Sequence, residues 1–567
     1  MTASRLAVLL ASASLLSACA SSAMGPKTLA AEDMPASSYG LFLAGQGALN
    51  DGRGAQAATY FEQARLGGED GDSLISERAF VAALLAGDIP KAAALAPAGP
   101  DASDAGKRMG QLVVAVEDMA SDKPKLAQPL LSGDAIGFPH KSVAVLLAPW
   151  AAAMAGDGEG ALVRPQARGD RVVDYYGLLG QAYLYERAKR YDEAETDFKV
   201  LTSGENPGDL LVLAYGGFLE RRGRKVDALA LYAKSLAAEP RNSMLLAAQA
   251  RAASAKGAPP PAPTLKQGAA QAIMAPAAVM ISAKQDQIAL GYLRLALRLD
   301  PNLNTAWLMV GDMMQAAGDA DSAREAYGKP RPGSPEYAAA RAKLAWSYQG
   351  AKDPDMALKL AREAAATGDT DAKVTLADIL RVNEKFEESA QVLSTVIGDN
   401  PDWRLLYARG IAYDRSGKWA EGERDLQAAL KLKPDDPELL NYLGYSWIDR
   451  GEHLTEALAM VQKAVGDNPR SGAMVDSLGW AYYKLGDYKK AVETLENAIE
   501  LEAGDPDINN HLGDAYWRVG RRDEAQFQWR RVLTLDPDPK IKAEAEQKLA
   551  NGLGPNGPVP SARVANQ

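Results

Sequence analysis

The stretch Val475-Asp476-Ser477-Leu478-Gly479-Trp480-Ala481-Tyr482-Tyr483-Lys484-Leu485-Gly486-Asp487-Tyr488-Lys489-Lys490-Ala491-Val492 decides how the chain folds. Val475, Leu478, Tyr482 and Leu485 step by 3, 4 and 3 residues, which places them on one face of a helix. Gly486-Asp487 then supplies a turn. Tyr488, Ala491, Val492, Leu495, Ala498 and Ile499 make the apolar face of a second helix. Gly479 and Ala491 lack bulk where the two helices approach closely. Helices of this length are marginal alone in water, so the pair has to stack on neighbours.

Those neighbours repeat the pattern. Gly410, Gly444, Gly479 and Gly513 are spaced 34, 35 and 34 residues apart. Leu512-Gly513 is followed by Tyr516, Gly520 and Ala525, and Leu443-Gly444 by Trp447, Gly451 and Ala457. Units close near Pro434, Pro469, Pro506 and Pro537. This pattern resembles the tetratricopeptide repeat, strongly from Thr370 to Leu549. Weaker units follow Gly311, Leu344-Ala345, Tyr215-Gly216, Leu179-Gly180 and Gly45, and residues 98–170 read only as helical.

The resemblance implies an all-α fold, a right-handed superhelical solenoid of stacked antiparallel helix pairs with about 12 units. The expected organisation is a lipoprotein signal peptide at 1–18, a flexible tether at 19–37 and degenerate helical repeats at 38–256. A Pro-rich linker at 257–266, weaker repeats at 267–369, well-matched repeats at 370–550 and a disordered tail at 551–567 complete it. The run Gly257-Ala-Pro-Pro-Pro-Ala-Pro263 reads either as a hinge or as a long loop between stacked helices.

The N-terminus adds a second signal. Arg5 precedes an apolar run from Leu6 to Leu16, then Ser17-Ala18-Cys19-Ala20. The run is too short to span a bilayer as a helix, which needs ~20 residues, but it has the parts of an export signal. Leu16-Ser17-Ala18-Cys19 resembles a bacterial lipobox, which implies acylation of Cys19 and a membrane anchor rather than a span. Ala20 in place of Asp resembles the sorting pattern for the outer membrane, facing the periplasm.

Composition narrows the chemistry. The 567 residues include one cysteine and three histidines, His140, His453 and His511, so no Cys/His zinc site of normal ligand count can form without carboxylates. A net charge of −10 disfavours nucleic-acid backbones as partners. No His-Glu-x-x-His, Cys-x-x-Cys-His, phosphate-binding loop or nucleophile elbow is present. The expectation is a non-enzyme with no cofactor and no metal.

What remains is a surface. In the repeat family the first helices line a concave groove, and the resemblance carries that role to Tyr407, Asn441, Tyr445, Asp476, Trp480, Tyr483, Asn510, Asp514 and Trp517. Rings interleaved with amides and carboxylates suit a protein partner of the cell envelope. They would also suit a glycan, in polysaccharide export or cell-wall assembly. The alternative for each ring is packing against the adjacent repeat. Tyr413, Trp447, Tyr482 and Tyr516 hold the in-helix structural position. Members that clamp acidic chaperone tails carry Asn after the first-helix Gly. Here Ile411, Tyr445, Trp480 and Asp514 stand there, so that clamp is absent.

Overall fold

The computed structural model describes residues 37–50, 53–67, 73–166, 169–240, 242–398 and 401–554. Cys19, the expected signal and tether up to residue 36, and residues 555–567 lie outside the described residues. The described residues form 29 α-helices and one short 3₁₀ turn, with no strand among them.

From residue 265 onward the helices come in consecutive pairs. Trp403–Arg415 packs on Trp419–Leu432, Pro437–Arg450 on Leu454–Asp467, Gly472–Lys484 on Tyr488–Leu501, and Pro506–Arg518 on Arg522–Val532. A last helix, Pro539–Asn551, covers the end. Their starts have a local cause. Asp436, Asp505 and Asp538 each accept backbone N–H bonds at a helix N-terminus, and Pro437, Pro506 and Pro539 follow at the first helical position, where no N–H is missed. The first-helix glycines are sites of close approach. A Cβ on Gly479 would sit 2.6 Å from Leu495, and one on Gly513 2.5 Å from the Trp529 indole nitrogen.

Stacking does not simply follow chain order. Helices Leu265–Ser282 and Asp286–Leu299 pack back onto Lys141–Ala155, Ser73–Ala86 and Asp104–Ala120. Buried residues from 48–151 and from 269–380 therefore share one apolar core, joined by Leu184, while the other buried apolar residues of 179–252 form a second one. The pairs Arg171–Arg187 with Tyr191–Leu201 and Asp209–Arg221 with Lys225–Ala238, together with Ser243–Ala253, form an arm that leaves the stack and returns to it. The return is closely fitted. Arg298 meets Glu117 at 2.7 Å, Lys266 donates to the Ala120 carbonyl at 2.8 Å, and Gly268 lies against the Trp150 ring.

This gives the Pro-rich run a definite role. It carries the chain from the arm back to the main stack. Arg221 donates to the Pro260 carbonyl at 3.0 Å and is itself paired with Glu186, while Lys225 donates to the Gly257 carbonyl at 2.9 Å. A segment pinned at two carbonyls is a fixed crossover rather than a free joint. The start of the expected tail also differs. Asn551 ends the last helix, and Leu553 is buried under the final repeats because Trp517 and Arg518 bind the Leu553 and Gly554 carbonyls.

Candidate interaction surface

The repeat period of 34–36 residues sets first helices side by side, so equivalent positions meet. Arg450 pairs with Asp414 at 2.6 Å, His511 with Asp476 at 2.9 Å, and Lys548 with Asp514 at 2.9 Å. Arg518 donates to the Tyr483 hydroxyl at 3.1 Å, and Lys484 to the Asp449 carbonyl at 2.9 Å. A polar ladder thus runs along the face that the sequence assigns to a partner.

The ladder decides which expected residues stay accessible. Tyr407, Asn441, Tyr445 and Trp517 are partly exposed. Asp476, Trp480, Tyr483, Asn510 and Asp514 are buried between repeats. Trp480 lies flat between Tyr483, at 4.6 Å and 7°, and His511, at 4.0 Å and 15°. Asp514 accepts from the Trp529 indole and from Lys548, and Asn510 accepts from the same lysine. These five side chains hold repeats together, because one repeat's groove position is the next repeat's packing position. Trp517 is partly covered by the chain itself, with Arg522 3.7 Å over its ring and Leu553 accepting from its indole.

Carboxylates and ladder cations both surround the half-buried rings. Burial and then the carboxylates of Asp449, Asp476, Asp507 and Glu544 push the Tyr445 hydroxyl well above its usual range. Burial raises Tyr407 likewise, with Glu438 and Asp436 adding to it. Burial pulls the His511 imidazole down, but the Asp476 carboxylate outweighs it with help from Asp507 and Asp514, and the net shift is upward. Three buried polar atoms on this face, the Asn441 amide oxygen, the Trp480 indole nitrogen and one terminal nitrogen of Arg518, have no hydrogen-bond partner among the described residues. No group of three or more His, Cys, Asp or Glu among the described residues could hold a metal ion. No described helix is long and apolar enough to cross a membrane.

The sequence reading did not single out His511 as a member of this face. The signal was present in the sequence, since His511 lies 35 residues after Asp476, one repeat on.

Comparison with known proteins fits this geometry. Tetratricopeptide repeat models match residues 374–421, 407–473, 479–520 and 506–539. A TPR repeat-containing protein of Pseudomonas aeruginosa is 32% identical over 139 residues, 24% of this chain and 23% of that protein. A probable UDP-N-acetylglucosamine–peptide N-acetylglucosaminyltransferase, SPINDLY, of Hordeum vulgare is 28% identical over 166 residues, 29% of this chain and 17% of its own length. The chain spans less than a quarter of the length of these curated relatives. A solved tetratricopeptide repeat protein from Parabacteroides merdae is 15% identical, covering 44% of this chain and 99% of its own, with a TM-score of 0.39. The C-terminal stretch is thus similar to a run of tetratricopeptide repeats, within a chain whose described residues form helices joined by turns and loops.

Proposed function

We propose that this chain is a lipid-anchored scaffold of the bacterial cell envelope that holds a protein partner against the first-helix face of its last repeats. The observation that carries the binding role is the half-buried set Tyr407, Asn441 and Tyr445, with the exposed carboxylates of Asp449 and Asp507 beside Tyr445 on a ladder-braced surface. Rings supply contact area at low entropic cost, and the exposed carboxylates of Asp449 and Asp507 beside Tyr445 suit a cationic segment of the partner. The anchor is Cys19. Its support is the order Arg5, apolar run, Leu16-Ser17-Ala18-Cys19, and the scaffold would face the periplasm from the outer membrane.

Metabolic labelling with a radiolabelled fatty acid tests the anchored half of the proposal. Wild type should incorporate label and fractionate with membranes, and Cys19→Ser should do neither. Unlabelled wild-type protein, or equal labelling of the variant, would remove the anchor.

A further inference from the structure

Where the returning helices meet the N-terminal ones, they leave a cleft of about 860 Å³. Asp286–Leu299 and Asn304–Ala316 form one wall, and the ends of Ser38–Asn50 and Ser73–Ala86 form the other. Its size falls in the range of small-molecule sites. The lining is mostly apolar, with Leu49, Leu85, Leu290, Leu297 and Met313 prominent.

Set into this lining is Arg294. Its Nε donates to the Leu85 carbonyl at 3.1 Å, and no carboxylate stands within ion-pair distance among the described residues. A guanidinium has five N–H donors, so most of its capacity is unused. The other charged groups at the cleft are engaged or peripheral. Arg298 is paired with Glu117 at 2.7 Å, Asp312 with Lys343 at 2.8 Å, and Glu325 with Lys329 at 2.9 Å. Asp286 is exposed at the rim. Burial holds the Arg294 guanidinium below its usual range, with only Glu325 opposing that shift. The Trp307 ring lies 6.0 Å from the same guanidinium.

We propose that this cleft binds a single-chain acyl carboxylate, with the head group on Arg294 and the chain along Leu49, Leu290, Leu297 and Met313. A planar carboxylate matches the guanidinium fork in shape and charge. A phosphate would call for further cations, and Arg298 is already committed to Glu117. A peptide carboxylate would bring backbone amides that an apolar wall leaves without partners.

The test uses the full chain carrying Cys19→Ser, so that no covalent acyl group competes. Calorimetric titration with dodecanoate should give saturable binding at one site per chain. Arg294→Gln should weaken dodecanoate about tenfold or more, the worth of a charge-assisted hydrogen bond, while leaving dodecanol within about twofold. Ala316→Trp, at an exposed position on the cleft wall, should abolish binding of both ligands. Absence of saturable dodecanoate binding would overturn the proposal. So would equal weakening of both ligands by Arg294→Gln, unchanged binding in Ala316→Trp, or saturation by a hydrophobic pentapeptide with a free C-terminus where dodecanoate fails.

Discussion

Trp529→Ala should destabilise the last repeats by ~3–5 kcal/mol, the usual cost of deleting a fully buried indole. Trp529 is 0% exposed, fills the space opposite Gly513, and lies 5.3 Å from the Trp517 ring. Its indole also donates to Asp514 at 3.0 Å, so the variant leaves a buried carboxylate held by Lys548 alone. Each repeat touches mainly its neighbours, so the loss should be local rather than global. Hydrogen exchange should show faster opening across residues 472–551 and little change before residue 400. Trp447→Ala removes a ring that is 3% exposed and bonded to Glu423, and should cost a similar amount two repeats earlier. A shift below about 1 kcal/mol for Trp529→Ala would mean that the ring is not a packing element.

The second large effect is a pH response of opposite sign at the two ends. His140 is 4% exposed, its Nδ1 lies 2.8 Å from the Tyr292 hydroxyl, and burial, with Arg108 adding, pulls its pKa down to about 4. The unfolded chain titrates near ~6.5. Between those values the unfolded state binds the extra proton, so stability is present above pH ~6.5 and falls as pH drops towards 4. The loss should reach about 3 kcal/mol, felt across the core that His140 shares with the returning helices. His511 works the other way. Its raised pKa means that its contribution is fully present below ~6.5 and is lost as pH rises through the folded value. Hydrogen exchange at several pH values, on wild type, His140→Gln and His511→Gln, separates the two. The N-terminal core should lose its acid sensitivity in His140→Gln, and the last repeats their alkaline sensitivity in His511→Gln. Identical pH profiles in wild type and both variants would contradict the assignments.

The helix pairs were legible because Gly479, Trp480, Gly486 and Ala491 mark a close approach, a ring, a turn and a second approach, and each mark recurs one repeat away. The route of the chain was not. Periodicity shows that a helix must be covered, and not by which other helix. Nothing local to Leu265–Leu299 indicates that it covers Lys141–Ala155 instead of following the arm before it. The same limit applied to the surface. A position in the repeat fixes the face of a helix but not the depth to which the next helix covers it. Tyr445 stays partly exposed while Trp480, one repeat later and also next to its glycine, lies between Tyr483 and His511. The cleft was beyond sequence reasoning altogether, since Arg294 and its partner Leu85 are 209 residues apart.

Site-specific photocrosslinking tests the central claim most directly, that the first-helix face of the last repeats holds a protein partner. A photoreactive residue at Tyr445, on that face, is compared with one at Glu493, exposed on a second helix. The account predicts a discrete protein adduct at 445, lost when Asp449 and Asp507 are both changed to Lys, and none at 493. Equal adducts at the two positions, or an adduct at 445 that survives the charge reversal unchanged, would contradict it.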